Sequence, residues 1–165
     1  MATAENDLRI LINDLAYIQD ELEALKYVIS SVPYDERPPG SVSIKDMIGL
    51  LKEQQERYYR PLIESATGKL KAADPETITP VNEDFQIDDH VDIQELLNKT
   101  IKKRASYVNL LNNLPQEKWS TEFKAGDQIF TVAELIEEHI SFDRKQLKRV
   151  AEYIMALEKT RASAQ

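Results

Sequence analysis

The segment LRILINDLAYIQDELEALKYVISSV, residues 8–32, decides the fold. Its aliphatic residues recur at alternating spacings of three and four, which places them along one side of a helix. This period is typical of a helix that packs lengthwise against other helices. The apolar stripe consists of Leu8, Leu11, Leu15, Ile18, Leu22, Leu25, Ile29 and Val32. The sequence therefore predicts a first bundle helix over residues 4–31.

Three further segments carry the same apolar pattern, which predicts helices over residues 43–65, 92–113 and 131–158. Both the second and the fourth begin with a residue that can cap a helix. Ser43 is followed three residues later by Asp46, and Thr131 is followed three residues later by Glu134. At a helix start, this spacing lets the side chain of each residue in a pair accept a bond from the backbone N–H of its partner.

A long connection separates the second and third predicted helices. Gly68, Pro75, Pro80 and Asn82 interrupt the helical pattern between residues 66 and 89. A connection of this length can cross from one end of a bundle to the other. The sequence thus predicts an all-α fold, a four-helix bundle in a single domain over residues 1–165. A small hairpin or turn is predicted around Gly126, just before the fourth helix.

Composition narrows the classes of function. The chain has 165 residues, no cysteine and a net charge of −8. Without cysteine there is no thiolate nucleophile and no disulfide, which favours the cytoplasm as the location. An acidic chain is a poor binder of nucleic acid or of anionic membranes. No apolar run is long enough to predict a transmembrane helix.

Three short motifs resemble those of the DinB-like family. SIKDMIGLL at residues 43–51 is similar to the family's signature at the start of helix two. TVAELI at residues 131–136 and FDRKQL at residues 142–147 are similar to its helix-four signature, and Leu114-Pro115 with Trp119 also matches. The resemblance implies an up-down-down-up bundle and a homodimer. It also implies a place among metal-dependent thiol transferases, hydrolase-like enzymes and members without an assigned activity.

The family's metal site is where the resemblance fails. Family members hold a divalent metal with one histidine from helix two and two from helix four. Carried over by position, these ligands fall on Leu50, Phe142 and Gln146. Leucine and phenylalanine have no lone pair to donate, and an amide oxygen is a poor ligand for nickel, zinc or iron. We therefore expect no metal cofactor.

Two other metal hypotheses remain. A shift of one residue in helix four pairs His139 with Asp143 on one helical face. Helix two offers only Glu53, Gln54 and Gln55 as a third ligand, so a structural role is favoured for this pair. The segment Asp88-Asp89-His90-Val91-Asp92 could hold an adventitious cation, but a solvated acidic loop at the start of helix three is the favoured interpretation.

A polar layer is predicted at mid-bundle. Helices two, three and four each place one polar residue in an apolar stripe, namely Gln55, Arg104 and Asp143. Because a buried charge is costly without a partner, we expect an Arg104–Asp143 ion pair with Gln55 nearby. Pairing is expected to lower the pKa of Asp143. The layer either fixes the helix register or, with His139, lines a pocket where the family's metal would lie.

Two functional hypotheses follow. The first is a non-catalytic binding or structural module, a homodimer that acts without metal and whose small-molecule ligand is unknown. The second is a metal-dependent thiol transferase or hydrolase with an altered metal site. Loss of the three ligand positions favours the first. Fold alone supplies neither activity.

Overall fold

The bundle helices form where the apolar stripes predict them. The computed structural model describes residues 2–68 and 77–163, and for residues 2–6 the backbone alone. Within these ranges the chain has four bundle helices. The first is α1 (Ala2–Val28), extended by a 3-10 turn at Ile29–Ser31, and the third is α4 (Ile93–Asn112). The fourth is α5 (Val132–Ser163), which continues five residues beyond the predicted end at 158.

The second bundle helix contains a π-helical turn. It consists of α2 (Ile44–Gln54), the π turn Gln55–Tyr59 and α3 (Arg60–Ala66). Pro61 lies two residues after the end of the π turn. Proline has no backbone N–H and cannot donate the usual helical hydrogen bond. A wider turn before Pro61 accommodates this missing bond. The helix thus passes Pro61 without ending there.

Both predicted capping boxes are present. The Ser43 side chain accepts a bond from the Asp46 N–H, and the Asp46 carboxylate accepts one from the Ser43 N–H. At the start of α5, Thr131 and Glu134 exchange the same two bonds. These side chains bond backbone groups that a helix start leaves without a partner.

A short antiparallel hairpin precedes α5, as predicted. Strand β1 (Glu122–Ala125) pairs with β2 (Gln128–Thr131), and Gly126 in the turn has a φ of +63°. A 3-10 turn at Gln116–Ser120 comes before β1 and buries Trp119 against the end of the core. The hairpin does not change the all-α class of the domain.

Contacts between the helices give the up-down-down-up order. Lys45, at the start of α2, bonds the carbonyls of Asp89 and Val91, which lie just before α4. The two helices therefore begin at the same end of the bundle and run parallel. Arg161, near the end of α5, bonds the Ser31 carbonyl, which lies just after α1, so these two helices end together. The predicted crossover topology is confirmed.

The core is divided into two apolar clusters along the bundle axis. One cluster contains Leu51 and Leu97, and the other contains Tyr58, Tyr107 and Ile136. The predicted polar layer lies between the two clusters on every helix that contributes to it. No helix in the described ranges is long and apolar enough to cross a membrane.

The connection between the second and third bundle helices lies on the surface of α2. Gln54 bonds both the N–H and the carbonyl of Val81, at 2.6 and 3.3 Å. Ile87 packs so closely on Gly49 that a Cβ there would lie 3.0 Å from the Ile87 Cδ1 atom. Residues 69–76 of the predicted crossover, Pro75 among them, lie outside the described residues.

Candidate functional site

Arg104, on α4, lies at the centre of the polar layer, and its side chain bonds the other three bundle helices. Its Nη1 donates to the Asp143 carboxylate at 2.7 Å and to the Leu15 carbonyl at 2.9 Å. Its Nη2 donates to Asp143 at 3.2 Å and to His139 Nε2 at 3.2 Å. Its Nε donates to Gln55 at 2.5 Å. Since a guanidinium has five N–H donors, every donor of Arg104 has a partner.

His139 is a neutral, fully buried member of this layer. Burial lowers its pKa well below the usual value, and the neighbouring Arg104 charge lowers it further. Its Nε2 accepts from Arg104, so the proton is on Nδ1, which has no hydrogen-bond partner among the described residues. The ring stacks on Tyr59 with centroids 4.0 Å apart. Packing on Tyr59 and one bond accepted from Arg104 account for the position of this histidine.

Asp143 corrects one of the expectations from sequence. Pairing with Arg104 was expected to lower its pKa, but burial raises the pKa of this carboxyl by more than Arg104 lowers it. Among the described residues, the carboxylate accepts bonds from Arg104 alone, and the residue is 4% exposed. A counter-ion offsets only part of the loss of hydration in a dry interior.

The structure thus brings together the four residues of the predicted polar layer. Gln55, Arg104, His139 and Asp143 are each at most 4% exposed, and the other three all bond Arg104 directly. Gln55 uses its amide N–H to bond the Lys103 carbonyl. Such an arrangement fixes the relative register of the helices, because moving any one of them leaves buried polar groups without partners. A role of this layer in ligand binding remains a prediction.

Comparison with known proteins supports the fold. No protein-family model and no curated protein matches the sequence. Among solved structures, YfiT from Bacillus subtilis is similar, with a TM-score of 0.70 over 88% of this chain and 84% of that chain. The chain has the fold of YfiT. YfiT is described as a probable metal-dependent hydrolase with an unusual four-helix bundle topology, and its identity to this chain is 15%.

The YfiT-like fold agrees with the DinB-like resemblance, but the implied metal positions do not fit a metal. Leu50 is buried and apolar, and Phe142 packs against both apolar clusters. Gln146 is fully buried, and its side-chain oxygen accepts a 2.8 Å bond from Arg149. Its amide nitrogen has no described partner, but an amide nitrogen is a donor and does not bind cations.

The second metal hypothesis, from His139 and Asp143, meets the same obstacle. Both side chains already bond Arg104, whose charge would repel a cation. The third ligands considered are also engaged: Gln54 with Val81, Gln55 with Arg104 and Glu53 with Lys52. Over residues 2–68 and 77–163, no three histidine or carboxylate side chains converge as a metal site would require.

The acidic loop before α4 lies apart from this layer. His90 is exposed and donates its backbone N–H to Asp88, while Asp92 accepts a bond from the Glu95 N–H as the cap of α4. Asp89 pairs with Arg37. Capping, turn formation and surface pairing thus account for the loop, in line with the interpretation favoured from the sequence.

The sequence did not reveal a cavity that opens beside the polar layer. Its volume is about 440 Å³, and it lies between the second bundle helix, α5 and residues 80–83 of the connection. Tyr58, Tyr59 and Phe142 line it together with Glu138. The one available signal was Gly49, since an isolated glycine in an apolar helix indicates close contact with another segment. That contact holds the connection against α2, and residues 80–83 of the connection form the cavity's far wall.

Proposed function

We propose that this chain is a non-catalytic binding module built on the YfiT fold. In it the Arg104 layer stabilises the bundle centre, and no metal site is used. The proposal rests on the side chains that occupy the implied ligand positions. Leu50 and Phe142 lack donor atoms, and Arg149 occupies the one oxygen that Gln146 could offer. A ligand would bind at the cavity formed by the second bundle helix, the connection and α5.

Elemental analysis joined to an activity assay tests this function. Protein purified without a chelator is expected to contain far less than one transition-metal ion per chain. It is also expected to show no thiol transfer or ester hydrolysis above a heat-denatured sample, with or without added nickel, zinc or iron. A stoichiometric metal together with metal-dependent turnover contradicts the proposal.

The likeness to a probable metal-dependent hydrolase favours one alternative, an enzyme of that class with an altered metal site. Such an enzyme would need ligands other than the three implied positions. The same assay decides between the two functions, because only the alternative predicts activity that depends on added metal.

We also propose that the module is a cytoplasmic homodimer, as the DinB-like resemblance implies. Exposed large apolar side chains in the described ranges include Ile10 and Tyr17 on α1 and Met155 on α5. Exposed apolar side chains on neighbouring helices are suited to an interface between subunits. Light scattering coupled to size exclusion is expected to give twice the mass of the chain, and a monomer at all concentrations contradicts this part of the proposal.

A further inference from the structure

The cavity beside the polar layer has a wall of aromatic rings. The Tyr58 and Tyr59 rings meet edge to face with centroids 5.0 Å apart, and the Phe142 centroid lies 6.1 Å from that of Tyr59. Tyr58 and Tyr59 are adjacent in sequence, and the π turn lets both of them be buried. Tyr58 and Tyr59 are only 9% and 3% exposed, and Tyr59 stacks on His139, so the half-buried Phe142 is the most accessible of the three rings. Ring faces carry negative electrostatic potential, which attracts cations.

One carboxylate in this cavity lacks a cation. Among the described residues, no lysine, arginine or histidine nitrogen lies within ion-pair distance of Glu138. Lys145, which also lines the cavity, is paired with Glu83 at 2.8 Å. Glu138 is an exposed residue, and a partial loss of hydration raises the pKa of its carboxyl.

We infer that this cavity binds a compact organic cation, an alkylammonium group that lies against Tyr58, Tyr59 and Phe142 and pairs with Glu138. The volume of about 440 Å³ is within the range of small-molecule sites. The net charge of −8 favours the approach of cations over that of anions. This inference rests on the proposed binding function and names its ligand class.

The chemistry of the lining disfavours the other ligand classes. An anion would meet Glu138, while the one lysine in the lining is already neutralised by Glu83. A neutral apolar ligand would cover part of the Glu138 carboxylate without supplying a positive charge, which is unfavourable. A quaternary ammonium group offers both a positive charge for the carboxylate and methyl groups for the rings.

Isothermal titration of the full chain with choline tests the inference. Its neutral isostere 3,3-dimethylbutan-1-ol has the same shape with carbon in place of the charged nitrogen. Choline is expected to bind at least about tenfold more tightly than the isostere, because only the cation gains the carboxylate and ring interactions. Equal affinity for the two probes, or no measurable binding of choline, overturns the inference.

Matched variants locate the site. Glu138→Gln is expected to weaken choline binding about tenfold or more. Glu137→Gln removes the same charge from the neighbouring position, which is also exposed but does not line the cavity, and is expected to leave binding unchanged. Phe142→Leu removes one ring and is expected to weaken binding several-fold. Its control is Tyr27→Leu, because Tyr27 is exposed on α1. Choline affinity that Glu138→Gln leaves unchanged places the cation elsewhere and overturns the assignment.

Two readouts separate this inference from the proposed function. Circular dichroism and thermal unfolding of each variant show that loss of binding is not loss of folding. If choline does not bind, this result says nothing about the metal content or the turnover of the wild-type chain. The ligand class can therefore fail while the non-catalytic function stands, and metal-dependent turnover can refute the function without changing the choline result.

Discussion

Asp46 and Asp143 are both buried aspartates paired with an arginine, and their pKa values shift in opposite directions. Asp46, at the start of α2, pairs with Arg37, and the pKa of its carboxyl is lowered to about 2. Asp143, at mid-bundle, pairs with Arg104, and its pKa is raised. An ion pair by itself therefore does not determine which form of a carboxyl the fold favours.

The number of donors explains the difference. Burial raises the pKa of both carboxyls, but Asp46 accepts two bonds from Arg37 and one each from the backbone N–H groups of Ser43 and Ile87. Within the part of the chain that the structure describes, Asp143 accepts only the two bonds from Arg104. Hydrogen bonds to an ionised carboxylate stabilise that form, so the larger set outweighs the loss of hydration at Asp46.

The two pairs also perform different structural tasks. Asp46 caps α2 and binds the connection through Ile87, so its charge holds a loop against a helix. Asp143 is the counter-ion of an arginine that joins all four bundle helices. Removal of a partner is therefore expected to have the larger effect at mid-bundle, where no water can replace it.

The largest expected effect comes from Arg104→Met. This change leaves Asp143 without a counter-ion and removes the donors to Gln55 and Leu15, so it is expected to destabilise the fold by about 3–5 kcal/mol. The cost is expected to be smaller in mild acid than at neutral pH. The raised pKa of Asp143 rises further without Arg104, so ionisation of the folded carboxyl lowers stability as pH increases. Urea unfolding at two pH values measures both effects.

A double-mutant cycle is the control for that prediction. Arg104→Met with Asp143→Leu removes both charges, so the double variant is expected to recover much of the stability that the single change loses. Single effects that simply add would show that the two side chains are not energetically coupled.

A smaller effect is expected from Asp46→Asn, at about 1–2 kcal/mol near neutral pH. Because the folded-state pKa of Asp46 is lowered to about 2, its stabilisation is present above the unfolded-state value and is lost as pH falls through about 2. Unfolding curves of wild type and variant should therefore converge in acid. A stability difference that stays constant down to the lowest pH contradicts this assignment.

A still smaller effect is expected from Gln54→Ala, about 1 kcal/mol, because the variant loses two bonds to Val81. Amide hydrogen exchange is expected to speed up in residues 77–92 and to stay unchanged in α4. Lys145→Ala is the matched control, since the exposed Lys145–Glu83 pair should contribute little. Faster exchange throughout the bundle would mean that Gln54 supports the whole fold rather than the connection.

The helices and the polar layer could be predicted from sequence because local patterns specify them. The stripe from Leu8 to Val32 and the boxes at Ser43 and Thr131 each lie within one helix, where periodicity and capping determine the structure. The pairing of Arg104 with Asp143 could be predicted because both charges lie at similar heights in apolar stripes, and the two side chains are 2.7 Å apart in the structure.

The cavity and the direction of the Asp143 pKa shift could not be predicted because they depend on segments distant in sequence. The path of residues 80–83 over α2 comes from the bonds between Gln54 and Val81 and from the contact of Ile87 with Gly49. The pKa of Asp143 depends on how many donors reach it, which no spacing within α5 reveals. Likewise, the sequence of the pair Tyr58-Tyr59 does not predict a π turn.

The central claim is that the polar layer stabilises the bundle centre without a metal. Thermal unfolding with and without a chelator tests this claim most directly. A metal that binds only the folded state raises its stability. The Tm of the purified wild-type chain is expected to be the same in the presence of a strong chelator, of nickel or of zinc. A Tm that falls on chelation and returns when the metal is restored would contradict the claim.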